Sequence, residues 1–234
     1  MWGTFWTAVG ALGAIIVPLV IHHLQSAKKR KTPDYTVEGE KWVLDRGWSY
    51  EDLLHRLIDL DYLTLAGVQL SPEDEGTVDQ WAPVFQKSPE TWALIVYRKK
   101  KIVGYWSYFS VSPKLAQEIA AGTMKDSEIT ASETKSIYEP GGHTIYFAMI
   151  ARDPDMTAVG DNASRLLLKS LIDSMLFFWE RVEIERVYAV CFTRDSEKLC
   201  RNFNLRFVSN TVSGKPLYVG TRENFEPRRL KRLT

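Results

Sequence analysis

The stretch from Met149 to Leu176 limits the possible folds more than any other part of this chain. It begins inside an apolar run, Thr144 to Ala151, that is rich in β-formers and unbroken by charge. Such a run predicts a buried central strand. A turn rich in Asp, Pro, Gly and Asn follows. Beyond it Leu167, Leu171, Met175 and Phe178 recur three or four residues apart, with Leu168, Ile172 and Leu176 as the adjacent row. That spacing predicts a helix with one broad buried face. A helix start behind a short polar loop points unpaired backbone N–H groups, and the positive end of the helix dipole, at whatever lies above the sheet. This chemistry suits a pyrophosphate.

The flanking segments extend the pattern. Thr91 to Tyr97, a basic turn Arg98 to Lys101 and Ile102 to Val111 predict an antiparallel hairpin upstream. Downstream come a strand over Glu185 to Phe192, a short helix from Ser196, and strands near Arg206 to Val208 and Pro216 to Val219. In this order of hairpin, strand, loop-helix, strand, helix, strand, the chain resembles the GNAT (GCN5-related) N-acetyltransferase superfamily from about Tyr50 to Gly220. The resemblance implies an α/β (α+β) fold, a mixed, mainly antiparallel twisted sheet flanked by helices. It also implies acetyl-CoA as cofactor, lying where two parallel strands splay after Ile150 and Ala151. There the backbone of Val159, Gly160, Asp161, Asn162, Ala163 and Ser164 would hold the pyrophosphate.

The family's loop motif, Arg/Gln-x-x-Gly-x-Gly/Ala, fits in two registers. Aligning Ala163 to Leu167 on the family's Gly-Ser-x-Leu-Leu puts Asp161 on the first glycine and Ala158 on the arginine. Aligning on Pro154 restores Gly160, but puts Asn162 on the second glycine and Thr157 on the arginine. Both registers lack the cation, and Asp161 is either a charge opposed to a pyrophosphate or a helix cap. For catalysis, a neutral imidazole at His143, entering the central strand behind two glycines, could deprotonate an amine; it could equally be structural. Tyr146 is the next hydroxyl along that strand. Thr193 to Val208 resembles the family's Asn-x-x-Ala-x-x-Leu-Tyr-x-x-x-Gly-Phe signature. It places Asp195 on the asparagine and Asn202 on the tyrosine that protonates the leaving thiolate, and asparagine has no proton to give at neutral pH.

The N-terminus carries a different signal. Met1 to Ala27 contains no Lys, Arg, Asp or Glu, and Trp2 to Leu24 is almost wholly apolar or small. About 20 such residues suffice to cross the hydrocarbon core. Trp2 and Trp6 at one end, and His22, His23 and the cluster Lys28 to Lys31 at the other, read as interfacial anchors. Charge after the span, not before it, points to an uncleaved single-pass anchor in the cytoplasmic membrane with the remaining domain in the cytoplasm. The expected organisation is therefore an anchor over 1–27, a basic juxtamembrane linker over 28–48, a GNAT-like domain over 49–221 and a basic tail over 222–234.

Within that domain, Ser49 starts a capped amphipathic helix, and Ser71 to Trp81 reads as a second helix begun by acids. Glu73, Asp74 and Glu75 are either acceptor contacts or first-turn acids favoured by the dipole. The insertion between Val111 and His143, with a helix from Pro113, would overhang the acceptor side in an acetyltransferase of this shape. A net charge of +1 gives no argument for nucleic acid. The two cysteines, Cys191 and Cys200, lack metal-ligand spacing and read as small apolar fillers. No metal site is expected. Two function classes stand out: transfer of an acetyl group to an amine acceptor, or a binding and sensing module at the membrane that has lost the chemistry. A membrane toxin or pore would need only the anchor.

Overall fold

The computed structural model describes residues 34–72, 74–155 and 162–221. The expected anchor over 1–27, the loop residues Val159, Gly160 and Asp161, Glu73 and the basic tail lie outside the described residues. No helix among the described residues is long and apolar enough to cross a membrane.

Among the described residues eight strands form one sheet: β1 (Tyr35–Glu38), β2 (Trp92–Tyr97), β3 (Lys101–Val111), β4 (Thr134–Lys135), β5 (His143–Arg152), β6 (Ile184–Val190), β7 (Arg206–Asn210) and β8 (Pro216–Thr221). The order is β1-β2-β3-β5-β6-β8-β7, with β4 paired to β3. All pairs are antiparallel except β5 with β6. The helices are α1 (Glu40–Leu44), α2 (Tyr50–Thr64), α3 (Val78–Lys87), α4 (Pro113–Ala121), α5 (Asn162–Trp179) and α6 (Arg194–Asn202). The expected mixed, mainly antiparallel sheet flanked by helices is thus present.

The α5 helix buries Leu167, Leu171, Ile172, Met175, Leu176 and Phe178, the face its periodicity predicts. Those residues share a core with Trp106, Tyr108, Ile145 and Phe147 on one side of the sheet. The other side is covered by α2 and α3 through Leu53, Leu57, Val84 and Phe85, and by α4 through Leu115 and Ile119. The connection through α5 is what allows β5 and β6 to run parallel. Arg98 and Lys99 take φ of 47° and 58° in the β2–β3 turn, the paired left-handed conformation of a tight hairpin.

Two expected boundaries differ. The folded domain reaches back to Tyr35, because β1 pairs along β2 from Tyr35 opposite Tyr97 to Glu38 opposite Leu94; the linker expected over 28–48 is therefore partly strand. The second helix starts at Val78, not Ser71. Thr77 and Gln80 form a reciprocal capping box there, which satisfies two end groups at once. Ser71 is instead tied to Asp74, its backbone N–H donating at 3.1 Å and its hydroxyl at 2.8 Å.

Candidate active site

The parallel pair defines the site. Strands β5 and β6 are in register up to Phe147 opposite Ala189, and no further. Beyond that point β5 keeps its pairing with β3 as far as Arg152 opposite Gly104. The edge of β5 facing β6 is therefore without a ladder partner from Ala148 onward, and the strands part. At the same place β5 carries a bulge. Tyr108 lies opposite Phe147 and Ser107 opposite Met149, which leaves Ala148 as the extra residue. A bulge re-aims side chains: Ala148 and Met149, although adjacent, both line one cleft on the α2–α3 side of the sheet.

That cleft encloses about 750 Å³, its open mouth included. Helices α2 and α3 wall it with Leu54, Ile58, Trp81 and Phe85, and Phe192 closes it just past the end of β6. Trp81 stacks on Phe109 with ring centroids 5.9 Å apart. Four acids line it, namely Asp61, Asp74, Glu75 and Asp126, and among the described residues no Lys, Arg or His does. Asp61, on α2, accepts hydrogen bonds from the Tyr105 hydroxyl at 2.7 Å to each oxygen. Asp126 belongs to the insertion and accepts from the Tyr146 hydroxyl at 2.6 Å. Burial pushes the Asp61 carboxyl up to about 8, against the opposing pull of the Tyr105 hydrogen bond. Burial likewise raises Asp126 to about 7, against Tyr146 and with help from Asp74.

The insertion is clamped over this space. Gln80, on α3, donates to the backbone oxygens of Asp126 and Ile129 at 2.6 and 2.7 Å, and Lys87 donates to those of Ala131 and Thr134. Asp74 is held by Ser213 at 2.7 Å. With α3 beginning at Val78, Asp74 and Glu75 are cleft residues and not first-turn acids. Ser107 also lines the cleft at 1% exposure.

The sequence-predicted residues divide between this cleft and other places. Tyr146 reaches it through Asp126. His143 is fully buried at the opposite end of β5, five residues or roughly 16 Å along the strand from the bulge. Its Nδ1 is 2.8 Å from the Ser110 hydroxyl and its Nε2 is 3.0 Å from the Glu139 carbonyl; burial, then nearby Lys135, lowers its pKa. Asn202 is exposed at the end of α6. Ile150 and Ala151 lie on the parted edge of β5, facing opposite sides of the sheet. Asn162, Ala163 and Ser164 form the first turn of α5. Arg152, at the end of β5, donates from Nη1 to the Ser164 hydroxyl at 2.7 Å. A cation thus reaches the helix start from the strand, where both loop registers lack one. Cys191 and Cys200 sit in the core with Sγ atoms 3.3 Å apart, and no metal-holding cluster occurs among the described residues.

Among the described residues, the sheet's one parallel pair thus splays at a bulge, beside the first turn of α5 and an open cleft. Similar solved structures include an acetyltransferase from Thermus thermophilus, 16% identical over 80% of this chain and 96% of that one, TM-score 0.42. FeeM, an N-acyl amino acid synthase from uncultured soil microbes, is 11% identical over 88% and 100%, TM-score 0.49. A GNAT-family acetyltransferase from Staphylococcus aureus is 8% identical over 80% and 98%, TM-score 0.48. No protein-family model matches the sequence, and no curated protein is similar to it.

Proposed function

We propose that this chain is an N-acyltransferase that moves an acetyl group from acetyl-CoA to an amine held in the acidic cleft. The observation that carries this reading is the parting of β5 and β6 at the Ala148 bulge, directly against a cleft holding carboxyls that titrate near neutrality.

The residues present fit the cofactor. The free edge of β5 from Ala148 to Ala151 offers backbone groups to the amide-bearing arm of CoA. The first turn of α5, with Arg152 and Ser164, offers N–H groups and a cation to its phosphates. Bound there, acetyl-CoA would supply the activated acyl group. Asp126 is the proton acceptor. Its carboxyl stands on Tyr146, one register position before the strands part, and a base titrating near 7 matches its task at neutral pH. Tyr146 is a positioning residue: its phenol, raised well above the ordinary range by burial and by Asp126, keeps its proton and orients the carboxylate. The edge of β5 past Phe147, which has no ladder partner in β6, would offer backbone N–H groups to a carbonyl oxygen. The apolar walls, Trp81 and Phe85 among them, exclude water.

Calorimetric titration of the full chain with acetyl-CoA and with CoA tests the reading. Micromolar binding of either is expected, and absence of both would overturn it. One observation favours a second reading. Asn202, at the register of the family's proton-donating tyrosine, is exposed and has no acid function. If acetyl-CoA binds but no amine is acylated, the chain is a binding and sensing module built on this fold.

The chain is held at the cytoplasmic membrane by residues 2–24, with the domain in the cytoplasm. Support comes from the charge-free run and the cluster Lys28 to Lys31 behind it. Protease added outside intact cells should leave the domain uncut.

A further inference from the structure

Resting on the membrane-anchor reading, we infer that the β2–β3 turn docks the domain on an anionic lipid surface. Arg98, Lys99 and Lys100, with Arg46 beside them, meet the lipid phosphates.

The placement comes from the strand register. β2 ends at Tyr97 and β3 begins at Lys101, so the consecutive cations Arg98 to Lys101 form the tip of the hairpin. Tyr97 lies opposite Tyr35, and the domain's first strand therefore starts beside that tip. In the sequence only Thr32 to Asp34 separate Tyr35 from the cluster Lys28 to Lys31. A further cation joins from just past α1. Arg46 donates from Nη2 to the Lys99 carbonyl at 2.7 Å and from Nη1 to that of Trp42 at 3.1 Å. Its guanidinium lies 3.6 Å from the centre of the Trp42 ring, and that of Arg98 lies 4.9 Å from the centre of Tyr97. The charges are thus held on an ordered turn, which lowers the entropy cost of gathering them on a surface.

The nearby acids do not cancel them. Lys101 pairs with Asp153 at 2.6 Å, Asp155 is tied to that same carboxylate through its backbone N–H, and Asp34 precedes β1. Lys99 and Lys100 are exposed and enter no ion pair among the described residues. The whole chain carries a net charge of only +1, so this tip is a local asymmetry. Apolar side chains surround it. Leu44 stands two residues before Arg46, and Thr64 fastens the end of α2, with Tyr62 and Leu63, to Arg152 at the same end of the sheet. Leu44, Tyr62 and Leu63 are each more than half exposed. Cations among exposed apolar side chains match a headgroup layer with acyl chains behind it. A nucleic acid offers the phosphates without that apolar layer.

The full chain is reconstituted in phosphatidylcholine vesicles, with or without about 30 mol% phosphatidylglycerol. A membrane-impermeant reagent that acetylates amines is added, and modification of each lysine is read by mass spectrometry. Lys114, just beyond the other end of β3, serves as the internal reference. Relative to Lys114, Lys99 and Lys100 should react at least about fivefold more slowly on the anionic vesicles, roughly the factor for one cation's attraction. About 0.5 M salt should abolish the difference, and Arg98→Gln should shrink it. Equal relative rates on both vesicles overturn the inference, as does protection that a DNA duplex gives and the anionic vesicles do not. Alkaline carbonate extraction reads the anchor separately. A chain that carbonate releases, with Lys99 and Lys100 still protected beforehand, supports this inference while removing the anchor. A chain that is retained without lipid-dependent protection does the reverse.

Discussion

Asp126 and Asp61 show how chemistry arises at the scale of one residue. An isolated aspartate is ionised at neutral pH and is a weak base; burial raises these two to about 7 and about 8. If Asp126 takes the acceptor's proton, the rate should climb with pH through about 7 and level off above it, because only the ionised carboxylate can accept. Asp126→Asn should lower kcat by roughly 10²- to 10⁴-fold while leaving acetyl-CoA affinity unchanged in a calorimeter. Unchanged turnover would remove Asp126 from the mechanism. The sequence instead draws attention to His143, whose intrinsic pKa is near neutral in any context. What it cannot display is that Ser110 and Glu139 occupy both ring nitrogens. Asp126 acquires its partner 20 residues away in sequence and Asp61 its partner 44 residues away. Their perturbed acidity belongs to the fold, and no local pattern announces it.

At the scale of elements, legibility follows periodicity. The buried face of α5 is written in its leucines, and Leu171 is 1% exposed in the core. Leu171→Asp should unfold the domain, since an unpaired buried charge rivals a domain's whole stability; a circular-dichroism melt identical to the wild type would refute that packing. The bulge at Ala148 has no such signature. Thr144 to Ala151 is apolar throughout, so one residue more or less changes nothing in its pattern, although it sets which side chains enter the cleft. The cation beside the start of α5 is hidden for a related reason. The loop motif looks for it after β5, but Arg152 lies on the strand itself and swings to Ser164. If that guanidinium meets the cofactor's phosphates, Arg152→Ala should weaken CoA by roughly ten- to a hundredfold, in line with a charge-assisted hydrogen bond of about 1.5–3 kcal/mol. Arg152→Lys should retain part of the affinity, and the wild-type advantage should shrink as salt is raised. Equal binding by all three proteins would leave the pyrophosphate to the backbone alone.

For the molecule as a whole, the cleft places an electrostatic load on folding that pH should expose. Asp61 and Asp126 have folded pKa values above those of the unfolded chain, about 8 and about 7, so the native state binds more protons than the unfolded one between about pH 4 and about 8. Stability therefore falls as pH rises through that window, by up to about 1.4 kcal/mol per pH unit for each carboxyl still titrating. His143, with its pKa lowered by burial, works the other way, but only below its ordinary value near 6.5. The carboxyls act without that opposition from about pH 6.5 to 8, where Asp126 finishes titrating before Asp61. The groups around them add no cation. Tyr105 of β3 faces Asp61, Tyr146 of β5 faces Asp126, and Asp74 raises Asp126 further. The melting temperature should drop across this interval, and both Asp61→Asn and Asp126→Asn should flatten the slope.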